Sequence, residues 1–385
     1  MPETDIAIVG AGILGLAHAY AAAKAGHAVT VFEKSPKAAG ASIRNFGMVW
    51  PIGQPHGEML ALSLRSRELW MELLTAARLP FKNTGSLHLA YADDEAAVVQ
   101  EFAAVAPAMG YSCNWLDAPQ VLAKSDAVVE HGPLGSLRGG LWSDTELTVD
   151  PRQIIASLPA FLAERYGVTF HFASQVRGIE PTPTGNIVST AFGSWHAGTV
   201  FVCSGEDFET LYPEHYVESG LTRCKLQMMR TAPQPGGWQL GPSLAAGLTL
   251  RFYPAFQICK SLPALAHRIA AETPELDRWF IHALVSQTAD GALTLGDSHE
   301  YGLAVDIFNK QQIDDLILEY TLGFLKAPDQ RIAERWYGVY AKHPTKPLVN
   351  MSPSERVRIV ASPGGSGMTL SMGVGESSLI EMGLL

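Results

Sequence analysis

The sequence predicts an α/β protein of two domains. One is a discontinuous Rossmann-type nucleotide-binding domain, and the other is an inserted domain on a mainly antiparallel sheet. Two observations predict this. An apolar run, Ile6 to Val9, leads directly into glycines at Gly10, Gly12 and Gly15 and then into an alanine-rich stretch with helical spacing. The strand–helix alternation lapses near residue 35 and resumes near residue 150. The lapse means that no second mononucleotide-binding half follows the first, as a dehydrogenase-type domain requires.

Each element has a local reason. Ile6, Ala7, Ile8 and Val9 form a wholly apolar run, expected of a parallel strand buried on both faces. Leu14 to Ala25 is rich in helix formers and stops at Gly26. Val29, Val31 and Phe32 give a second strand ending at Glu33, about 20 residues past the glycines, where a carboxylate meets ribose hydroxyls. In GEMLALSLRSRELWMELLTAA, residues 57–77, leucines recur at helical intervals and read as core. Asp150 and Pro151 pair as N-cap and first-turn residue for PRQIIASLPAFLAERYG, with Pro159 a possible kink. VTFHF (168–172), NIVSTAF and TVFVCSG are strands. Residues 221–308 alternate strand-like pieces with one helix around Glu275 to Val285, and KQQIDDLILEYTLGFL (310–325) is a clearer amphipathic helix. RIVASPGG runs from a strand into a glycine turn, and MTLSMGVGESSLIEM is a final helix that Gly373 and Gly375 weaken unless something packs closely there.

Composition bounds the partners. The chain has 385 residues, is 47% apolar and carries a net charge of -10, which argues against a nucleic-acid surface. Four cysteines without CxxC spacing suggest neither a zinc site nor a disulfide framework, and reduced thiols fit a cytoplasmic setting. The acidic start MPETD is unlike a secretory leader, and no stretch is long and uncharged enough to span a bilayer.

Beyond the glycine turn, several separated motifs resemble the FAD-dependent D-amino-acid oxidase, glycine oxidase and sarcosine oxidase superfamily, across nearly the whole chain. GAGILG with Glu33 looks like its ADP-binding turn, and AGASIRNFGMVWP (39–51) like its second glycine- and serine-bearing loop. LWSDTELTVDPR (141–152) is similar to its Val-Asp-Pro helix start, VFVCSGED (200–207) to its apolar strand with a terminal glycine, and PGGSGMTLS (363–371) to its C-terminal flavin loop.

The resemblance implies noncovalent FAD. Its expected holders are Gly10, Ala11, Gly12, Ile13, Leu14 and Gly15 at the turn, then Phe32, Glu33 and Lys34 after the second strand. Ala41, Ser42, Asn45, Phe46, Gly47 and Met48 follow in the second loop. Val176 is expected beside the adenine, and Cys203, Ser204 and Gly205 at the end of the apolar strand. Gly338 and then Gly364, Gly365, Ser366, Gly367, Met368 and Thr369 complete the set. Gly338 stands where sarcosine oxidases carry the flavin-linked cysteine, which is the reason for expecting no covalent bond. A helix starting near Thr369 would stabilise reduced flavin through its N-terminus, although Ser366 and Thr369 equally suit plain helix capping.

The resemblance also implies a flavin domain from residues 1–83, 148–210 and 333–385, and a substrate domain from 84–147 and 211–332. RCKLQMMRT, LRFYPAF, GDSHEYG and RWYGVYAKHP look most like a bacterial branch linked to aminophosphonate breakdown. The implied activity is oxidation of the C–N bond of 2-aminoethylphosphonate or its N-methyl form. Oxidation of secondary-amine acids and a flavin-binding module without turnover are the rivals. WYGVY offers Tyr340 where the family's WxGxR supplies an arginine to clamp a carboxylate, whereas a tetrahedral phosphonate can be met by point donors. Arg44, Tyr253, His299, Tyr340 and Lys342 are the substrate-site candidates, with Lys225, Arg230, Arg251 and His343 as further cations. No metal is expected. Dioxygen or another acceptor takes the electrons, and monomer and homodimer are both open.

Overall fold

A computed structural model describes every residue of the chain except Ser362, so that one position of the RIVASPGG run lies outside the described residues. The Glu3–Val9 strand is central and parallel to both neighbours, Val29–Phe32 and Gly193–Val202. Ile6 and Ile8 pack into one apolar cluster and Ala7 into another on the opposite face, and all three are fully buried. The eight-stranded sheet runs in the order Thr169–His171, Val29–Phe32, Glu3–Val9, Gly193–Val202, Gly185–Thr190, Val176–Thr182. Val357–Ala361 adds in parallel to the far end of Gly193–Val202 and carries Val349–Ser354 on its outer edge. Strands from the beginning, middle and end of the chain thus share one sheet.

Helix Ile13–Lys24 packs between this sheet and the C-terminal helix Gly367–Glu381, which in turn lies against Glu58–Ala77. Gly373 and Gly375 sit at the two contacts. A Cβ on Gly375 would stand 2.8 Å from the Ala17 backbone, and one on Gly373 would stand 2.7 Å from Leu62 O. Close packing is therefore what these glycines serve, as the sequence required. Trp70, fully buried here, donates its indole N–H to Met368 O at 2.7 Å. Asp150 caps Pro151–Tyr166 by accepting the Arg152 and Gln153 N–H groups, and the helix continues through Pro159.

The second large sheet has nine strands, all but one of its pairings antiparallel, the exception being Ser86–Ala90 beside Ser243–Ala245. Its long members, Thr222–Pro233 and Ile332–Lys342, pair in continuous register from Thr222 with Lys342 to Arg230 with Glu334. The expectation of one helix at 275–285 is corrected. Helices occupy Leu262–Glu272 and Pro274–Arg278, and Leu284–Gln287 is a strand whose four residues are all buried. The error lay in reading a short apolar run as helix; a fully buried strand has the same composition. Helix Gln311–Phe324 stands as expected.

Candidate active site

One long cleft of about 970 Å³ runs from the glycine turn after the first strand to the start of the C-terminal helix. That volume lies at the upper end for small-molecule sites. At its first end Gly10 has φ +103°, and a Cβ there would fall 2.4 Å from Cys203 O, so the turn closes directly on the neighbouring strand end. Gly12 precedes the first turn of helix Ile13–Lys24, whose N–H groups lack intrahelical partners. One of them, on Ile13, donates to Ser42 Oγ at 2.9 Å, tying the second loop to the first.

Glu33 is aimed by backbone rather than by chance. Its Oε2 accepts the Ala11 N–H at 3.0 Å and its Oε1 the Ser35 N–H at 2.9 Å. The carboxylate is thus fixed at the head of the turn, lining the cleft. Of the expected cofactor residues, all but three line this cleft. Ala11, Gly15 and Gly47 do not, and they act as supports. Ala11 orients Glu33; a Cβ on Gly15 would lie 1.8 Å from Gly10 O, and one on Gly47 would lie 2.0 Å from Val149 O.

At the other end Ser366 Oγ accepts from Gln54 Nε2 at 3.0 Å and Thr369 Oγ1 accepts the Trp50 N–H at 2.9 Å. Both hydroxyls therefore tie the helix start to the Trp50–Gln54 segment, instead of capping their own helix. Gly338, Tyr340 and Lys342 are alternate residues of one strand and share its cleft-facing side. A Cβ on Gly365 would lie 3.4 Å from Tyr340 Oη, and one on Gly364 the same distance from Lys342 Nζ. A Cβ on Gly338 would crowd Leu226 at 3.1 Å and Arg44 O at 3.2 Å.

All five substrate-site candidates, Arg44, Tyr253, His299, Tyr340 and Lys342, line the cleft. Arg44 reaches the Tyr337 carbonyl at 3.5 Å, its guanidinium 5.9 Å from that ring. The further cations fall outside the ring end. Lys225 is fully buried and donates to Phe308 O at 2.6 Å, Arg230 pairs with Asp290, and Arg251 pairs with Asp277. His343 reaches the cleft, but its Nδ1 accepts the Thr345 and Lys346 N–H groups and caps its own loop.

Among the cleft residues that the sequence reading did not name are the ionisable pair His282 and Asp297. Asp297 stands two residues before His299 inside the GDSHEYG segment, so that segment held the signal; His282 lies on an adjoining stretch without a motif. His282 Nδ1 is 3.6 Å from Asp297 Oδ1, and His299 Nε2 is 3.9 Å from Asp297 Oδ2. Burial pushes the Asp297 carboxyl well above the usual range and both imidazoles below theirs, His299 to about 4, with the Lys342 charge adding to that fall. Tyr253 and Tyr340 phenols are raised by the same desolvation and stay protonated.

The parallel sheet, glycine turn, acid and second glycine loop define a dinucleotide-binding protein of flavoprotein architecture. The FAD dependent oxidoreductase family model matches residues 5–378, and the chain belongs to that family. It is 25% identical to the glycine oxidase of Geobacillus kaustophilus over 209 residues, 52% of this chain and 54% of that protein. It is 28% identical over 246 residues to the tRNA 5-methylaminomethyl-2-thiouridine biosynthesis bifunctional protein MnmC of Magnetococcus marinus, covering 60% of this chain and 34% of that one. The matches thus span about half and about a third of these curated relatives. In fold, the chain superposes on the G. kaustophilus glycine oxidase structure with TM-score 0.77 at 19% identity, covering 99% of this chain and 95% of that one. L-Proline dehydrogenase from P. horikoshii gives 0.76 at 21%, covering 100% and 95%.

The cofactor is FAD, and the residues present fit it. The cleft is long, one end offers a glycine turn and a helix N-terminus for a diphosphate, and the other offers the side-chain-free Gly364–Gly365 edge beside Tyr340 and Lys342.

Proposed function

We propose that this enzyme oxidises the C–N bond of a small amine that bears an anionic group. FAD, when bound, supplies the acceptor for the hydride equivalent, and water hydrolyses the resulting imine. The observation that carries this reading is the charge pattern at the ring end of the cleft, where the cations Lys342 and Arg44 line the same space as the acid Asp297. A zwitterion of ammonium and anion matches that pattern; a neutral amine leaves the cations unanswered. Glycine oxidation and proline dehydrogenation, the activities by which two of the similar proteins are named, belong to the same chemistry.

Within that class we favour an aminophosphonate, 2-aminoethylphosphonate or its N-methyl form. Tyr340, where a carboxylate clamp would need an arginine, supports this preference, because a tetrahedral anion accepts separate point donors such as Lys342 and Arg44 without a planar fork. We further propose that FAD is held noncovalently by the cleft residues named above, and that 1–83, 148–210 and 333–385 form its domain. Dioxygen or another acceptor reoxidises it. Among the described residues no helix is long and apolar enough to cross a membrane, and the four cysteines are free, which supports a cytoplasmic setting.

The chain's own groups have definite tasks. Lys342 and Arg44 bind the anion, Tyr340 orients it beside the Gly364–Gly365 edge, and Trp50 and Tyr253, their rings 6.2 Å apart, wall off water. Anaerobic mixing with a panel of amines tests the reading. Flavin absorbance should bleach faster with 2-aminoethylphosphonate and its N-methyl form than with glycine or sarcosine. Faster bleaching by glycine or sarcosine would transfer the assignment to amino acids.

A further inference from the structure

We propose that Asp297 and the imidazoles beside it form the seat for the substrate's nitrogen, Asp297 pairing with the ammonium and His299 Nε2 taking the proton that leaves it. This rests on the amine-oxidation reading above. His299 Nδ1 lies 3.0 Å from Phe280 O, and only an N–H pairs with a carbonyl. Nδ1 therefore carries the hydrogen, and Nε2 presents its lone pair toward Asp297. Asp297 is 5% exposed, yet its Oδ1 has no hydrogen-bond partner among the described residues, and neither has His282 Nε2. Such groups are costly unless a donor meets them. Both residues line the cleft, which makes a ligand bound there the donor within reach.

Two kinds of cation suit one carboxylate and two imidazoles, a metal ion and an ammonium. Ligands at about 2.1 Å from a tetrahedral metal stand about 3.4 Å apart. Acceptors at about 2.8 Å from a tetrahedral ammonium stand about 4.6 Å apart. The three groups offer atoms separated by 3.6 Å and 3.9 Å for the carboxylate pairs and lying within 4.8 Å overall. Both carboxylate separations lie between the two frames, so the spacing admits an ammonium, and the amine that the proposed reaction brings to this cleft is the cation at hand. Phe252 lies 5.1 Å from the His282 ring and 5.8 Å from that of His299, and Tyr253 stands edge-on to His282, so carbon next to the nitrogen meets aromatic surface.

In the transfer, an ammonium N–H bond breaks, its electron pair stays on nitrogen, and the proton bonds to His299 Nε2. The free pair is what allows the adjacent carbon to give up a hydride. The neighbouring Asp297 carboxylate stabilises the imidazolium that forms. Before ligand arrives burial opposes charge on all three groups, raising the Asp297 carboxyl and lowering both imidazoles. Other ionisable groups sense the same site: Tyr253, Tyr301, Tyr340 and Cys224 feel the Asp297 charge. His88 and Arg251 act on His282, and Lys342 on His299. All four of the hydroxyl and thiol groups are pushed upward and stay protonated, so Asp297 is the group that must lose a proton when an ammonium binds.

The test is calorimetric titration of the holoenzyme with 2-amino-2-methylpropylphosphonate, which has no hydrogen on the carbon bearing nitrogen and is not oxidised. It is run in buffers of different ionisation enthalpy from about pH 6 to about pH 9. Near neutrality wild type should release protons as the ligand binds, and bind more tightly as pH rises. Asp297→Asn, with flavin absorbance confirming its fold, should release none, show a flat profile and bind roughly 10- to 100-fold more weakly. His299→Gln should retain the affinity within a few-fold while losing bleaching by the oxidisable parent amine. Unchanged affinity and proton release in Asp297→Asn would overturn the seat, as would binding that a chelator abolishes and zinc restores. A wild type that binds the analogue as stated but is bleached by no amine would leave the seat standing and remove the oxidation reading.

Discussion

Glu33 is held by two backbone N–H groups, one from the turn it serves, so its carboxylate is oriented before any ligand arrives. Glu33→Ala removes both a ribose acceptor and the clamp on Ala11. With about 1.5–3 kcal/mol for a hydrogen bond to a charged group, FAD affinity should fall roughly 10- to 100-fold, read by ultrafiltration of the flavin. His88 gives a second measurable consequence. It is fully buried among Trp50, Tyr253 and Phe256, and burial pushes its imidazole down from 6.5 to about 3. Above pH 6.5 both folded and unfolded chains hold it neutral. As pH falls below 6.5 the unfolded chain takes a proton that the folded one refuses, so folding loses about 1.4 kcal/mol per pH unit. His88→Leu lacks that loss. Urea denaturation at pH 7 and below should show the variant's stability relative to wild type rising by that amount per unit down to about pH 4.

Gly375 shows how two opposing effects are weighed along a helix. Alanine there would gain about 1 kcal/mol of helix propensity. Its Cβ would, however, stand 2.8 to 3.0 Å from backbone atoms of Ala17 and His18, which cannot move singly, and such overpacking costs about 1–3 kcal/mol. The urea midpoint of Gly375→Ala should therefore fall; a rise would mean the two helices part freely. Legibility followed the same physics. Strand Glu3–Val9 and helix Ile13–Lys24 were readable because burial on both faces and a glycine stop leave local marks. Leu284 and Val285, which open a strand, fell inside the expected helix, since a buried strand and a buried helix share apolar composition and only pairing separates them. The Ser366 and Thr369 hydroxyls could not be assigned between helix capping and other roles, because their partners Gln54 and Trp50 are more than 300 residues away.

Across the molecule, the cleft unites segments that the chain order scatters, from Gly10 through Tyr253 and Tyr340 to Thr369. The diphosphate end was legible because its glycines, helix and acid lie within one short stretch. The substrate end was only half legible. Arg44 and Lys342 could be named as substrate-site cations, with Lys225 and Arg230 only as further ones, and the sheet turns those two away. Asp297 and His282 come together only through the pairing of Leu284–Gln287 with Ala292–Gly296 and the turns beside it. Lys342→Met should preserve flavin binding to the same spectrum while raising the anionic amine's apparent Kd by roughly 10-fold or more, measured by concentration dependence of bleaching.

The most direct measurement is anaerobic titration of the purified, desalted protein with 2-aminoethylphosphonate and, separately, with ethylamine, followed through the flavin band. An FAD spectrum that survives desalting, bleaches with the phosphonate amine and persists with ethylamine is the predicted result. A protein that retains no flavin, or a flavin band that neither amine changes, would contradict it.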